Sequence, residues 1–517
     1  MMYPLFLLSL MASVYYNTQT DKFMVMENMY DEHAVARGIL DNGKGDGWTH
    51  LQIEAPAHDD YKIEGRAIGF VEGYLTRSLF KNHYNNVMNT LCQKYVTCDD
   101  QGNLPTEITD FFKMNYEEVN TYLKSRGENY DNFTSSCLIG MSQFRGLIEG
   151  YSYDNYGNLT ENELWLYLNH ESIFNLARRY GVSKFTGELY SQGTCFISHS
   201  GNFQDIFFGH NSWKPYGYSQ RIAKRFKVKF HKAPVERYTF SSYPFMLHSS
   251  DNFEITDAGL VHMTSSIAIN DAIHINPLYE YLPTWLRSYG ATKSSQSASM
   301  WCNSYNTNVL TLEGLEHVVV DLKQFKYKES FHENFLYVLD EIPKEVKIRD
   351  FSYVMNTNYY FVSADIPHIE DIYIHAGYPD LAAIDPKMYS SDESIRYKIF
   401  EKFHGFNTYE ELKNLMRLND LNLAEQEGSP KYASAARYDL LQQNKECYGA
   451  IDAKVTSLRR VLHLIWEGAP SPTYDDVKPL VFSEEEVCSN TPHEGIPDKL
   501  QYSWTQISSM SSMSSDL

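Results

Sequence analysis

The segment with the clearest chemical potential combines a thiol, an imidazole and an indole, and reads Gly193-Thr194-Cys195-Phe-Ile-Ser-His199, then Asp205-Ile-Phe-Phe-Gly-His210-Asn211-Ser-Trp213. An ionised thiol is a strong nucleophile, and imidazole is the side chain that most often transfers protons near neutral pH. The residue types therefore suit nucleophilic attack on a carbonyl group. A lone cysteine is more often a buried structural residue, so the pattern by itself leaves both roles open.

The same stretch predicts two strands joined by a turn. Apolar and β-branched residues fill 195–199 and 205–209, and the Ser-Gly-Asn sequence between them is typical of a hairpin. In such a hairpin Cys195, near the start of the first strand, lies close to the far end of the second. His210 and Trp213 are located there, so we expect both to be near the thiol.

The elements around this hairpin are segregated along the chain. Helical periodicity predicts four helices before it, at 61–91, 107–125, 136–150 and 162–180. Short β-rich runs separated by polar turns follow from about 187 to 268. Beyond them we predict a mixture of helices, strands and loop, namely helices at 275–289 and 392–418, strands at 308–313, 317–321 and 335–340, and a loop at 422–436. This order predicts an α+β fold with separate layers rather than alternating βαβ units.

Composition restricts the partners of the chain. The 517 residues are 43% hydrophobic and carry a formal net charge of −21, which disfavours binding to nucleic acid. No stretch reaches the ~18 consecutive apolar residues that a membrane-spanning helix needs, so we expect no integral membrane segment.

Several features indicate the secretory route. Residues 1–16 begin with a short apolar run that ends in small residues, which predicts a signal peptide; a buried N-terminal strand is the alternative. Sequons at Asn132 and Asn158 predict glycosylation. Secretion or lysosomal delivery would both agree with these signals.

The cysteines agree with an oxidising compartment. Of seven in total, Cys92 and Cys98 are close enough in sequence to form a small disulfide loop. The odd number leaves at least one thiol free or in an intermolecular pair. The sequence leaves the pairing of the others open, namely Cys137, Cys302, Cys447 and Cys488.

A set of short blocks, in this order along the chain, resembles the phospholipase B-like family, which includes laminin-ancestor-like proteins. Besides the Cys195 segment, the blocks are Ser241-Ser-Tyr-Pro244, Ser250-Asp-Asn-Phe253, Gly259-Leu-Val261, Ser304-Tyr-Asn306, Ala433-Ser-Ala-Ala-Arg437-Tyr-Asp439 and Gly449-Ala-Ile-Asp452-Ala-Lys454-Val-Thr-Ser457. The resemblance covers about residues 35 to 504. Ser265 and Ser266 replace two threonines of relatives, and Tyr448 replaces a histidine.

The resemblance implies a self-cleaving hydrolase whose precursor is cut between Thr194 and Cys195. It implies the four-layer αββα sandwich of N-terminal-nucleophile hydrolases. The cut would divide a helical N-terminal fragment, 17–194, from a catalytic fragment, 195–504, and we expect the two to remain associated. Residues 505–517 form a Ser/Met-rich tail that composition predicts to be disordered.

The same resemblance assigns roles to individual residues. Cys195 would attack the Thr194 carbonyl, aided by the flexibility of Gly193, and would then use its new α-amine as the base. The remaining expected site residues are Asn306 as the oxyanion donor, His210 and Trp213 lining the pocket, Arg437 binding an anionic group or supporting the amine, and Asn211, Ser265 and Ser266 as further pocket residues. Arg437 could instead pair only with Asp439, and Asn306 could only cap a turn.

Other chemistries lack support in the sequence. There is no C-x-x-C pair, and His368 and His375 lack helical ligand spacing, so we predict no metal and no cofactor. The block Cys-Gly-Ser-Cys-Trp of papain-like proteases is absent. The expected substrate is a glycerophospholipid or another acyl compound. An amidase acting on a lipid-like or peptide-like amide, and a weakly catalytic lipid-binding glycoprotein, remain alternatives.

Overall fold

The fold is described from a computed structural model of the chain. The structure describes residues 9–508 except 43–44, 59, 127–130, 185–192, 231, 270–277, 308–309, 403–407 and 421–432. The expected helix at 275–289 and the expected strand at 308–313 fall partly outside these residues, and the expected loop at 422–436 falls mostly outside them.

Strands are numbered β1 to β20 in chain order. They are β1 Leu10–Asn17, β2 Lys22–Glu27, β3 Ala36–Asp41, β4 Trp48–Ala55, β5 Gly193–His199, β6 Ile206–Pro215, β7 Arg221–Val228, β8 Arg237–Ser242, β9 Phe253–Thr256, β10 Leu260–Ser266, β11 Leu315–Asp321, β12 Leu336–Ile342, β13 Glu345–Asp350, β14 Tyr360–Ser363, β15 Tyr448–Ala450, β16 Ala453–Ser457, β17 Trp466–Ala469, β18 Leu480–Val481, β19 Lys499–Leu500 and β20 Thr505–Ile507. The hairpin predicted around Cys195 is confirmed as β5 and β6.

Helices are numbered in the same way. They are α1 Tyr61–Thr90, α2 Thr106–Ser125, α3 Asn132–Ser152, α4 Glu161–Leu168, α5 His170–Tyr180, α6 Thr284–Ser294, α7 Ala298–Tyr305, α8 Val354–Thr357, α9 Glu370–His375, α10 Tyr378–Ile384, α11 Pro386–Tyr389, α12 Ile395–Lys402, α13 Tyr409–Met416 and α14 Leu458–Val461. The four helices predicted before Cys195 are confirmed, the last of them as the pair α4 and α5.

Two large sheets give the chain a mixed α and β architecture. The larger has eleven strands in the order β13-β12-β11-β10-β9-β8-β7-β4-β3-β1-β2, in which only the β4–β7 pair is parallel. The smaller runs β14-β5-β6-β16-β17-β20, with β15 also paired to β6. The Cys195 strand is therefore interior to its sheet, between β14 and β6.

The two sheets face each other across a shared core. Residues alternate between the two faces of a strand, and Cys195 of β5 packs in one cluster with Val261 and Met263 of β10. The outer face of the smaller sheet packs on α12 and α13, as in the cluster that contains Phe196 and Met416. Helices cover the outer face of the larger sheet, α1 and α3 near β3 and β4 and the α6–α7 pair near β10 to β12.

Helices α1 and α3 cross at very short range because glycines line their contact. A Cβ atom on Gly69 would lie 2.0 Å from the carbonyl oxygen of Gln143, and one on Gly146 would lie 2.1 Å from that of Arg66. Neither position can hold a larger residue without moving a backbone. This close pair forms a rigid support for the first strands of the larger sheet.

The N-terminal fragment is not purely helical, which corrects the prediction for 17–194. Strands β1 to β4 occupy most of residues 10–55 and form one edge of the larger sheet. Ala12, Ser13 and Val14 are consecutive, fully buried residues of β1, which matches the buried-strand alternative that the sequence had allowed. The signal peptide stays a prediction, but an end at residue 16 would remove most of β1. A leader that spares this strand must end before Leu10.

The predicted disordered tail also begins later than expected. Thr505–Ile507 form β20, which pairs with β17 and buries Ile507 in the core between the sheets. The disorder predicted for 505–517 is therefore wrong at 505–507, and residues 509–517 lie outside the described part of the chain.

Two disulfide bonds are present among the described residues. Cys92 pairs with Cys98, as predicted, and Cys447 pairs with Cys488. Cys137, Cys195 and Cys302 are free and buried, which confirms that at least one thiol stays unpaired. Of the described helices, none is both long and apolar enough to cross a membrane.

Candidate active site

Cys195 lies in a row of polar side chains that crosses the smaller sheet. It pairs directly with His210 of β6 on one side and with Ser363 of β14 on the other. His210 in turn pairs with Lys454 of β16. Directly opposed residues share a face and lie close together, so this row of four points toward the larger sheet.

The thiol is held in its neutral form. Cys195 is fully buried, and burial, together with the nearby carboxylate of Glu316, raises its pKa well above the usual value. A hydrogen bond with Ser363 acts in the opposite direction. In the uncut chain the nucleophile therefore needs a base at close range before it can react.

His210 can be that base because of how its ring is held. Its Nε2 lies 3.1 Å from the carbonyl oxygen of Thr264, an acceptor only, so Nε2 carries the proton. Nδ1 is buried and has no hydrogen-bond partner among the described residues, which leaves its lone pair available. Burial, reinforced by Lys454, lowers the pKa of His210 well below its usual value, so the ring is neutral.

The residues before Cys195 are held in an unusual backbone geometry. Gly193 has φ +142°, and a Cβ atom there would lie 2.0 Å from the carbonyl oxygen of Asn211. Only glycine fits this site, which agrees with the role expected for Gly193. Thr194 is fully buried and its hydroxyl accepts a hydrogen bond from Arg396. The bond between Thr194 and Cys195 thus lies within a paired strand.

Replacing Gly193 by alanine tests this geometry. We expect Gly193→Ala to destabilise the chain by about 2 kcal/mol or more and to prevent accumulation of cut protein, since β5 must shift away from β6. Thermal unfolding and a denaturing gel measure the two effects. Gly201→Ala is the control, because a Cβ atom on Gly201 would contact nothing within 4 Å. Equal behaviour of the two variants would contradict the role of Gly193.

Asn211 and Trp213 lie on the opposite face of β6 from His210. The Asn211 amide donates to the carbonyl oxygens of Met416 and Ser434, and Trp213 Nε1 donates to Asn211 Oδ1 at 3.2 Å. The Trp213 ring packs 4.1 Å from the guanidinium carbon of Arg396. The structure thus places both residues behind the strand, where they hold the segments that surround Thr194.

Ser265 and Ser266, at the end of β10, contact the site from the β14 side of Cys195. Ser265 Oγ lies 2.5 Å from the hydroxyl oxygen of Ser363, the neighbour of Cys195. Ser266 donates to Asp365 at 2.6 Å. Of these two predicted pocket residues, Ser265 connects the larger sheet to the row that contains the nucleophile, and Ser266 lines the neighbouring cavity with Asp365.

Asn306 does not reach the thiol, which corrects its expected role as the oxyanion donor. It ends α7, whose side chains pack on Leu260 and Val319. Cys195 packs on the neighbouring strand residues, such as Val261, which point to the other face. The eleven-stranded sheet therefore lies between Asn306 and Cys195.

Arg437 also lies away from the thiol and pairs with Asp439, which was the alternative to a role in the site. Its guanidinium forms two hydrogen bonds with Asp439, at 2.9 and 2.6 Å, and donates to the carbonyl oxygens of Thr473 and Lys478. These contacts join the 437–439 segment to the loop between β17 and β18. The structure gives Arg437 no contact with Cys195, so the expected binding of a substrate anion or of the amine is not supported.

Sequence reasoning missed several residues of the site. Ser363 and Arg396 come from segments far along the chain, and no local motif marks them. Asn419, which follows α13, has a buried amide nitrogen with no hydrogen-bond partner among the described residues. Three residues earlier, at the end of α13, Met416 accepts a hydrogen bond from Asn211, so Asn419 follows a helix that packs on the outer face of the smaller sheet.

A cavity of about 160 Å³ opens at the Thr194 end of β5. Charged and polar groups line one part of it, including Lys214, Glu313, Asp365 and Arg396. Aromatic and aliphatic side chains line the rest, including Tyr95, Phe174, Ile267, Ile269, Met388 and Tyr389. Cys195 itself does not line the cavity, but Ser266 and Arg396 connect the two. Among the described residues no cluster of His, Cys, Asp or Glu could hold a metal ion.

Comparison with known proteins shows the family to which the chain belongs. The phospholipase B family model matches residues 37–507, so the chain belongs to that family. Phospholipase B-like protein D of Dictyostelium discoideum is 24% identical over 95% of this chain and 92% of its own. Phospholipase B-like 1 of Homo sapiens is 27% identical over 94% and 90%. Among solved structures, penicillin V acylase from Agrobacterium tumefaciens overlaps 53% of this chain and 82% of its own, at 9% identity and a TM-score of 0.30. A TM-score of 0.30 is too low to support any conclusion about the fold of this chain.

Proposed function

We propose that this chain is a hydrolase of acyl esters that becomes active when it cuts itself between Thr194 and Cys195. The observation that carries the proposal is the row of Ser363, Cys195 and His210, in which the strand partner of the buried thiol is a histidine whose Nδ1 has no hydrogen-bond partner among the described residues. The packing of helices on the outer faces of two facing sheets supports the four-layer αββα sandwich of N-terminal-nucleophile hydrolases.

The self-cleavage step balances with the groups at the site. The Cys195 thiol gives its proton to His210 Nδ1 while sulfur attacks the carbonyl carbon of Thr194. The carbon–nitrogen bond then breaks, and the proton passes to the leaving nitrogen, which becomes the α-amine of Cys195. Water hydrolyses the resulting thioester, which releases the Thr194 carboxylate and restores the thiol.

The mature enzyme would use the new amine as its base. A free α-amine has a pKa near ~8 and a thiol near ~8.5, so proton transfer between them costs little. Sulfur attacks the ester carbonyl, the ammonium protonates the departing alcohol oxygen, and water then hydrolyses the acyl thioester. The products are a fatty acid and the deacylated alcohol.

The negative charge on the tetrahedral intermediate requires a donor. The backbone N–H groups at the strand end after cleavage are our candidate donors in place of Asn306.

The substrate proposed is a glycerophospholipid. The names of the relatives point to phospholipids, and the cavity beside Thr194 combines an apolar wall with cationic groups. The two disulfides and the exposed side chains of Asn132 and Asn158 support passage through the secretory route, to secretion or to a lysosome.

A substrate panel on matured protein tests the proposal, with Cys195→Ala as the control. A short-chain diacylglycerophospholipid and an N-acyl amide with the same acyl chain are assayed at acidic and neutral pH. Release of fatty acid from the ester, absent in the control, supports the proposed activity. Release from the amide alone would assign an amidase. Binding of either compound without turnover by cut protein would leave only a lipid-binding role.

Glu313 gives the proposed activity a pH dependence. Burial, together with Glu171, raises the pKa of this cavity carboxyl to about 7, while Lys214 pairs with Glu171 rather than with Glu313. The carboxyl is therefore neutral in acid and becomes charged as the pH rises through 7. We expect KM for an anionic lipid to rise roughly fivefold from pH 6 to pH 8, the effect of about 1 kcal/mol of repulsion. Glu313→Gln should abolish the rise; an unchanged profile in that variant would exclude Glu313 as its cause.

A further inference from the structure

Arg396, the second residue of α12, connects the cut site to the cavity. Its Nη2 donates to the carbonyl oxygen of Gly193 at 2.8 Å and to the hydroxyl of Thr194. The same side chain lines the cavity and is only 4% exposed. A buried cation whose acceptors belong to the residues beside the scissile bond is placed where a substrate of the cut enzyme would bind.

The guanidinium is held in a fixed orientation. Nη1 pairs with Asp365, which also accepts a hydrogen bond from Ser266. The indole of Trp213 packs against the guanidinium, with 4.1 Å between its carbon and the ring centre. A guanidinium fixed in this way presents paired N–H groups in one plane, an arrangement that suits the oxygens of phosphate or carboxylate.

We infer that Arg396 is the residue that binds the phosphate group of the substrate in the mature enzyme, and that Gly193 and Thr194 occupy its place in the precursor. This inference rests on the proposed cut between Thr194 and Cys195. The cut separates the two acceptors from Cys195 and allows them to withdraw from Arg396. Thr194 directly precedes Cys195, so the hydroxyl group that Arg396 binds belongs to the residue adjoining the nucleophile, about 3.8 Å away between Cα atoms.

The neighbouring charges favour an anion at this position over a cation. Lys387 and Lys214 line the same cavity. Lys214 is paired with Glu171 at 2.5 Å and Arg396 with Asp365, so these two cations and two carboxylates balance, and Lys387 adds one further positive charge to the lining. Glu313, the third carboxylate, has a pKa of about 7 and loses its charge in acid.

The test compares two substrates in Arg396→Lys, which keeps the charge but loses the paired geometry. The substrates are a short-chain diacylglycerophosphocholine and the diacylglycerol with the same acyl chains. We expect KM for the phospholipid to rise by about tenfold or more, with KM for the diacylglycerol changed by less than about twofold and kcat similar. Arg225→Lys is the control, since Arg225 donates to the carbonyl oxygen of Leu464, away from the cavity.

Inhibition provides a second measurement that needs no matured variant. Glycerophosphocholine and inorganic phosphate are each tested against wild-type hydrolysis of the diacylglycerol. Competitive inhibition by either supports a phosphate site, and their ranking shows whether the lipid headgroup or phosphate alone is recognised. Absence of inhibition by both would overturn the inference even if Arg396→Lys failed to mature.

The outcomes separate this inference from the proposed function. If cut Arg396→Lys shows equal KM changes for both substrates, or none for the phospholipid, Arg396 does not bind the phosphate, although self-cleavage stands. If the wild-type chain is never cut at Cys195, the proposed function itself fails, and with it the premise of this inference.

Discussion

Replacing Cys195 by alanine is expected to leave the 517-residue chain uncut and without hydrolytic activity. The sulfur is the atom that attacks in both steps, and neither Ser363 nor His210 can replace it as a nucleophile of comparable strength. We expect turnover to fall by about 10⁴-fold or more, as when the nucleophile of a hydrolase is removed. A denaturing gel and N-terminal sequencing measure the cut, since the wild-type C-terminal fragment should begin Cys-Phe-Ile-Ser.

Cys302→Ala is the matched control for this variant. Cys302 is also a free, fully buried thiol whose pKa is raised by burial, but it belongs to α7 on the far face of the larger sheet. The Cys302→Ala variant should therefore be cut and active. Maturation and hydrolysis by Cys195→Ala would show that another residue is the nucleophile.

The helices were predictable because their signals are local. The long periodic stretch around 61–91 corresponds to α1, which Asp60 begins by accepting a hydrogen bond from the backbone N–H of Lys62. The strands of 10–55 were missed although β1 to β4 pair mainly with one another. Among them β4 alone pairs with a distant strand, β7, and this long-range pairing, which leaves little trace in a local pattern, joins them to the rest of the larger sheet.

The relative positions of Cys195 and His210 were predictable because a hairpin is also a local signal. A hairpin fixes its own register, so the positions of Cys195 and His210 relative to each other follow from the turn between them. The roles of Asn306 and Arg437 came from the order of blocks along the chain. Order along a chain does not specify which face of a sheet a residue occupies, and the structure places Asn306 on the wrong face.

Arg396 and Ser363 were not predictable from any motif. Arg396 reaches Thr194 from a helix some two hundred residues later, and Ser363 reaches Cys195 by strand pairing of β14 with β5. Each becomes significant only once the fold is known. The buried partners of a nucleophile are usually assembled in this way, because a packed core joins segments that are remote in sequence.

Replacing His210 by glutamine is expected to slow self-cleavage by about 10²-fold or more, the usual contribution of a general base. Glutamine keeps a polar side chain beside Thr264 but cannot accept and return a proton. The rate is measured by following the two fragments over time from freshly made precursor. Because the pKa of His210 is lowered, the imidazole stays in its basic form in mild acid, so its protonation should not slow wild-type cleavage there.

His262→Gln is the control, since this buried histidine of β10 also has a lowered pKa but bonds to His317 on the other face of the larger sheet.

The matured fraction of His210→Gln gives the sharper test. If the α-amine of Cys195 is the base after the cut, turnover of that fraction should lie within about tenfold of wild type, although its formation was slow. Equal losses in both steps would mean that His210 serves the mature enzyme as well. An unchanged cleavage rate would mean that the precursor relies on another base, and the carboxylate of Glu316, which acts on the same thiol, would be the next to test.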